Sequence, residues 1–362
     1  MKRVRVRLAA RSYDIRIGPG ILRHIAADVL EELRPSSVVL ISHPKLADWY
    51  ARPIAEGFGT HGVRTCNVTV PPGERHKNLR TVARLYKALV QAGADRQTLL
   101  VVVGGGVLGD VGGFVAATYM RSIPFIQVPT TLLAQVDASI GGKTGVDLEE
   151  GKNLIGAFYQ PLGVYADTDT LATLPARELR CGLAEVVKYG IISDERLLAF
   201  VEAHAGRLLR RDTSALAHVV QRSCAIKARI VAADETERGP RAVLNFGHTV
   251  GHALEACTGY RRYRHGEAVA AGMVAAARVG ELLGIGPAGI RERIVRVLQS
   301  LRLPTSLPAN VAAEDLLAAM ARDKKAVGGK LRMVLPRGIG DVVIVDGVDP
   351  GCVRRALAEL QE

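Results

Sequence analysis

Aromatic residues make up only 4% of this 362-residue chain, with one tryptophan. That scarcity removes the stacking platforms on which single-stranded nucleic acid is bound. No apolar run reaches the roughly 18–20 residues that a membrane helix needs. Cysteine is sparse too: five residues, at 66, 181, 224, 257 and 352, with no C-x-x-C pair. An odd count without metal-type spacing excludes a disulfide framework and predicts reduced thiols. Lysine is the minority cation, 11 against 37 arginines. The N-terminus, "MKRVRVRLAARSYDIRIG", alternates basic and apolar residues, a strand pattern rather than a signal peptide. These absences predict a soluble cytoplasmic protein that engages neither membrane nor nucleic acid.

What is present is ordinary for a globular protein, 48% apolar and 23% charged residues. The length suggests two domains. The formal net charge of +12 is spread along the chain, which fits a solvated basic surface or small anionic ligands. In a chain this partial to arginine, the placement of lysine is informative. Lys143, Lys152, Lys188, Lys227, Lys324 and Lys325 fall in glycine-rich or turn-flanked stretches or on the helices beside them. A lysine ammonium is a compact point charge, suited to lining a phosphate or carboxylate site.

The first half alternates β runs with helical patterns. Strands are predicted at 37–42, 63–70, 98–106, 124–131 and 163–167, with helices from about 45 to 58 and 78 to 91. This alternation predicts a mostly parallel sheet with helices on both faces. Beyond "TLATLPARE" helical patterns dominate, at 176–192, 194–210, 213–232, 248–257, 266–283 and 289–300, with a short strand pair near the end. The predicted domains are 1–172, an α/β nucleotide-type domain, and 173–362, a mainly helical one. A cleft between two domains is the default place for a site.

"VVVGGGVLGDVGGF" fits G-x-G-x-x-G with Gly104, Gly106 and Gly109, after a strand and into a helix. Glycines admit a pyrophosphate to the backbone, and the helix N-terminus favours its charge. The acidic residue usual about 20 positions later is missing; Pro124 stands there. The pattern therefore reads as a variant dinucleotide site or as a tight strand–helix turn. A second glycine-rich stretch, "QVDASIGGKTGVDLEEGKNLIGAF", carries Asp137, Lys143, Lys152 and Asn153 and reads as a phosphate cradle or a surface loop.

In "LNFGHTVGHALEA" His248 and His252 are four apart on one helical face. His265 follows in "RHGEAVAAGM", and Glu185 sits on the otherwise apolar "CGLAEVVKYG" helix. A buried carboxylate needs a partner. Two histidines and a glutamate suit a catalytic zinc with open positions. Spacing does not select which two histidines bind, nor exclude Glu255 or Glu267. Lys188 reads as a partner of Glu185 or as a surface cation.

These blocks, together with "GKNLIGAFYQP" and "PFIQVPTTLLAQVDASIGGKTGV", occur in one order over about 71–325. The ordered set resembles the 3-dehydroquinate synthase family of sugar phosphate cyclases. The resemblance implies an α/β N-terminal nucleotide-binding domain plus a mainly α-helical C-terminal domain, a fold shared with glycerol dehydrogenase. It implies NAD, regenerated in each turnover, one divalent metal, Zn (or Co), and a homodimer. The implied reaction turns 3-deoxy-D-arabino-heptulosonate 7-phosphate (DAHP) into 3-dehydroquinate and phosphate on the shikimate route to aromatic amino acids. Transient oxidation by NAD is followed by phosphate elimination, reduction and intramolecular aldol closure.

By motif, the resemblance implies Glu185, His248 and His265 as metal ligands, with His252 reaching the substrate from the next turn. It implies an NAD site at Pro72, Gly73, Glu74, Arg75, His76 and Lys77, and at Gly106, Val107, Leu108, Gly109 and Asp110. Thr130, Thr131, Thr170, Leu171, Ala172 and Thr173 continue that site. Asp137, Lys143 and Lys152 are expected near the nicotinamide end and the substrate. Lys143, Asn153, Asn245 and Lys324 or Lys325 resemble a phosphate-binding set, Arg241 and Lys227 a carboxylate-binding pair. Arg121 is directed to a neighbouring subunit's site.

Overall fold

The computed structural model describes residues 1–322 and 331–361. They group into two compact units: residues 1–174 with 227–236, and 175–226 with the described residues from 237 onward. The return of 227–236 to the first unit is announced by no change in composition.

The first unit carries β1 (Lys2–Val6), β2 (Tyr13–Gly18), β3 (Val38–Ser42), β4 (Thr65–Thr69), β5 (Leu99–Gly104), β6 (Phe125–Pro129), β7 (Lys143–Leu148), β8 (Gly151–Phe158) and β9 (Gly163–Asp167). Seven form one sheet in the order β1-β2-β9-β6-β5-β3-β4. β1 is antiparallel to β2 and the other pairings are parallel. Strands β3 and β5 are apolar nearly throughout and buried on both faces, as a helix-covered parallel sheet requires. Val39, Ile41, Leu100 and Val102 face one core with the Leu79–Gln91 and Gly106–Thr118 helices. Val38, Leu40, Leu99, Val101 and Val103 face the other, with the Ile25–Glu32 and Arg52–Gly59 helices. The chain leaves β3 toward one sheet edge and β5 toward the other. Such a switch in direction opens a crevice at the carboxyl ends of the strands, the ordinary ligand position in open α/β sheets.

The glycine-rich stretch after β6 is no loop. β7 and β8 pair as an antiparallel hairpin. Low strand propensity hides such a segment in sequence, yet here glycine is what the pairing needs. Gly145 faces Gly156, and a Cβ on Gly145 would stand 2.4 Å from the Ile155 carbonyl oxygen.

In the second unit the Ala176–Ser193, Glu195–Leu209, His248–Cys257, Ile290–Ser300 and Pro350–Ala358 helices surround the His265–Leu282 helix or one another. The His265–Leu282 helix is rich in alanine and glycine and almost wholly buried, so small side chains let its neighbours come close. A hairpin of β10 (Arg332–Gly338) and β11 (Asp341–Asp346) is tied to the helical layer by Gly340 N–H donating to the Ile191 carbonyl at 2.8 Å. All five cysteines carry free thiols. Among the described residues no helix is long and apolar enough to cross a membrane.

Candidate functional site

Three helices of the second unit bring Glu185, His248 and His265 together. Glu185 lies midway along Ala176–Ser193, whereas His248 and His265 each open a helix. Glycine fixes the approach. A Cβ on Gly266 would stand 2.3 Å from the Cys181 carbonyl oxygen, one turn before Glu185. A Cβ on Gly272 would stand 2.0 Å from the Gly247 carbonyl oxygen, at the start of the His248 helix. Any larger residue at either place would push the helices apart.

One ligand atom from each of Glu185, His248 and His265 lies within 4.8 Å of the others. Glu185 Oε1 is 3.7 Å from His248 Nε2 and 3.6 Å from His265 Nε2. These separations are long for hydrogen bonds. They approach the edge of about 3.3 Å of a tetrahedron whose corners sit roughly 2.0–2.1 Å from a central zinc. The other rim of each imidazole is held. His248 Nδ1 lies 3.1 Å from the Phe246 carbonyl oxygen and His265 Nδ1 lies 3.1 Å from Glu255 Oε2. Donation from both Nδ1 atoms leaves the Nε2 lone pairs facing Glu185, the tautomer a metal ligand needs.

Glu185 is fully buried and ion-pairs through Oε2 with Lys188, itself 1% exposed. Lys188 is therefore a partner of Glu185, not a surface cation. Burial alone would lower the His265 pKa, but the Glu185 and Glu255 carboxylates outweigh it and push it up to about 10. His252 stands beside the trio, its ring 5.3 Å from His248 and 6.0 Å from His265. His252, Glu255 and His265 form a second cluster of the same compactness, so the alternative carboxylate Glu255 stays close by. Glu267, the other alternative, is taken up by Arg177 and by the Arg264 N–H.

In the first unit the residues expected around NAD all follow parallel strands at their carboxyl ends. Pro72–Lys77 follow β4, Gly106–Asp110 follow β5, Thr130 and Thr131 follow β6, and Thr170–Thr173 follow β9. Gln135 stitches the last two segments, donating to the Pro129 and Asp167 carbonyls and to Thr170 Oγ1 at 3.1, 2.8 and 3.2 Å. Gly105 is the N-cap of the 13-residue Gly106–Thr118 helix and has no side chain to cap it. The helix's first N–H groups and positive dipole end therefore suit an anion. Val107 is half-buried and Leu108 packs into the core, so these two shape the turn.

Lys77 ties this region together. Its Nζ donates to Asp110 Oδ2 and Asn153 Oδ1, both at 2.5 Å, while the Lys152 ammonium lies 3.2 Å from Glu74 Oε1. Burial alone would lower the Lys77 pKa, but Asp110 and Glu74 raise it on balance and keep the ammonium charged. Lys77 is 5% exposed and Asp110 24%. Lys77→Met should therefore strand a largely enclosed carboxylate and destabilise the fold by about 2–4 kcal/mol. Urea unfolding checks this, and a loss within experimental error of zero would show the pair to be dispensable.

The remaining expected residues fall in both units. Asp137 accepts from Lys227 Nζ at both its backbone oxygen, 2.7 Å, and Oδ1, 2.5 Å. Lys227 thus groups with the first unit, whereas Arg241 lies fully buried in the second. Lys143 begins β7 and is exposed, and Asn153 lies in β8. Asn153 Oδ1 accepts from Lys77 Nζ, and its N–H donates to Asp147 Oδ1 at 2.8 Å. Asn245 donates to Glu237 Oε1 at 3.2 Å. Arg121 sits on an exposed turn where Met120, Arg121 and Ser122 have φ of 49°, 66° and 119°. Lys324 and Lys325 lie outside the described residues. Sequence reading missed Asp147, Glu237 and the positioning place of Glu255. Only Glu255 carried a signal, seven residues after His248 on the same helix face.

The chain matches known proteins over most of its length. A family model described as 3-dehydroquinate synthase N-terminal matches residues 67–181, and one described as 3-dehydroquinate synthase C-terminal matches 182–326. A 3-dehydroquinate synthase of Symbiobacterium thermophilum is 48% identical over 356 residues, 98% of this chain and 99% of that protein. A 2-deoxy-scyllo-inosose synthase complexed with carbaglucose-6-phosphate, NAD+ and Co2+ superposes with a TM-score of 0.89 at 27% identity, over 99% of each chain. A 2-epi-5-epi-valiolone synthase of Streptomyces hygroscopicus with NAD+ and Zn2+ bound gives 0.87 at 30% identity, over 96% of each chain.

Proposed function

The chain belongs to the 3-dehydroquinate synthase family, and from that premise we infer that it converts DAHP to 3-dehydroquinate and phosphate. The observation that carries the reading to this chain's own residues is the buried Glu185, His248 and His265 trio with His252 beside it. The trio's donor set and spacing fit one divalent ion, zinc or cobalt. The uncapped helix after the Gly104–Gly106 turn, at the sheet's switch point, fits the pyrophosphate of NAD. When bound, the ion supplies a Lewis acid for substrate oxygens, and the nicotinamide supplies a hydride acceptor that returns what it takes.

The chain's own groups bind, orient and move protons. Arg241 offers a planar fork for the substrate carboxylate. His252 offers a titratable ring nitrogen next to the trio, placed to hold a proton at a substrate hydroxyl. Of the groups expected at the phosphate, whose negative charge grows as it leaves, Lys143 and Asn153 belong to the first unit and Asn245 to the second. Asp137 fixes the Lys227 ammonium, and Lys188 balances the charge of Glu185. A homodimer in the cytoplasm, with Arg121 serving a neighbouring subunit, belongs to the same reading. The outward-facing left-handed turn at 120–122 supports it, and a sedimentation mass of one chain would remove the dimer.

The deciding experiment measures phosphate released from DAHP with NAD well below the enzyme concentration of substrate turned over. Release is expected to continue for many turnovers with no build-up of NADH, to stop on chelation and to return with zinc or cobalt. Steady NADH production from glycerol, with no phosphate from DAHP, would replace this reading with that of a polyol dehydrogenase.

A further inference from the structure

We propose that Glu255 is a positioning residue of the metal centre, acting through His265; the proposal rests on the reading of Glu185, His248 and His265 as metal ligands. The two imidazoles are held by different means. His248 takes its orientation from the chain itself, through the Phe246 carbonyl two residues earlier. His265 has no such local acceptor in that role. Its Nδ1 is met by a side chain ten residues away, Glu255 Oε2 at 3.1 Å. Glu255 is 6% exposed, so its carboxylate is not simply reaching out of solvent.

The placement follows from the fold. Glu255 lies seven residues after His248 on the same helix, so it shares the face that carries the first imidazole. The chain then turns through 258–264 and re-enters as the His265 helix. That entry is pinned by the Arg264 N–H donating to Glu267 Oε2 at 2.9 Å and by Arg177 gripping Glu267. The backbone of His265 is therefore fixed, but ring rotation is not. A carboxylate on Nδ1 sets the ring, fixes the proton on that nitrogen and aims Nε2 at Glu185. It also makes the imidazole a stronger donor. One helix thus supplies a ligand at its first residue and the orienting group for the other imidazole two turns later.

The test compares metal affinity in wild type, Glu255→Ala, Glu255→Gln, His248→Ala and Glu185→Ala by competition against a chelator. Wild type should hold one zinc per chain, and His248→Ala should not. Glu255→Ala should still bind one metal, but about 10- to 100-fold more weakly. Glu255→Gln, whose amide oxygen still accepts from Nδ1 without the charge, should fall between. The visible spectrum of the cobalt-loaded forms should keep its intensity at saturating cobalt, because the ligands are unchanged. Circular dichroism of the metal-free forms establishes which variants fold, and if Glu255→Ala does not, Glu255→Gln carries the test alone. Folded variants within twofold of wild-type affinity would overturn the proposal. So would loss of stoichiometric binding in Glu255→Ala with retention in Glu185→Ala, since Glu255 would then itself be a ligand. Equal binding by wild type and His248→Ala would instead remove the metal assignment beneath it.

Discussion

Replacing His248 with alanine is expected to remove the bound divalent ion and turnover together. After dialysis the variant should retain almost no zinc, and phosphate release from DAHP should fall by at least about 10³-fold. That figure corresponds to roughly 4 kcal/mol, in the range a Lewis acid supplies to a reaction that develops charge on oxygen. The effect should be large because the ring has no substitute. His248 is the first residue of its helix, its Nδ1 is engaged by the Phe246 carbonyl, and its Nε2 is one of two nitrogens facing Glu185 Oε1. Two remaining ligands do not make a tight zinc site. His248 is buried, so circular dichroism of the variant is measured beside metal content to separate loss of the ligand from loss of the fold. His252→Ala is the paired control. It should lose turnover while keeping the metal, because His252 stands beside the trio and not in it. A His248→Ala protein that kept one tightly bound ion per chain would contradict the assignment.

The contrast between those two histidines marks how far sequence carries the argument. A four-residue spacing places His248 and His252 on one face, but it assigns them no separate roles. The roles come from distances. Glu185 reaches within 3.7 Å of His248 only because the helices meet at Gly266, Gly247 and Gly272, and helix crossings are not written in periodicity. The parallel sheet was legible because continuous apolar runs such as Leu99–Gly104 admit few other fates. The β7–β8 hairpin was not, because its glycines and charges spell a loop in any local reading. The Lys77, Asp110 and Asn153 cluster was half legible. Lys77 and Asp110 were expected near a cofactor and Asn153 at a phosphate, but their mutual ion pair and hydrogen bond join segments 33 and 76 residues apart. Lys227 was expected to share a carboxylate with Arg241, and its pairing with Asp137 across 90 residues left no trace in the sequence.

Arg241 carries the prediction that tests whether the substrate bears a carboxylate. Arg241→Lys and Arg241→Ala should raise KM for DAHP by about 30-fold or more. That is roughly the 2 kcal/mol lost when one member of an enclosed, hydrogen-bonded charge pair is removed. The Kd for NAD should change by less than about twofold, because Arg241 is not among the groups expected to hold NAD. The reason lies in geometry. A guanidinium presents two parallel N–H donors to a carboxylate, and a lysine ammonium cannot reproduce that fork. DAHP has a carboxylate, whereas glucose 6-phosphate does not. Arg241 is also 0% exposed, which sets up a rival account in which it serves the fold alone. The two accounts diverge in measurable ways. A purely structural arginine would lower the melting temperature of both variants and leave KM for DAHP unchanged in whatever fraction stays folded. A substrate-binding arginine moves KM even in Arg241→Lys, where the positive charge is retained and only the fork is lost. An unchanged KM in folded Arg241→Lys and Arg241→Ala would take the carboxylate away from this residue, and with it the main chemical reason to prefer DAHP over a sugar phosphate without an acid group.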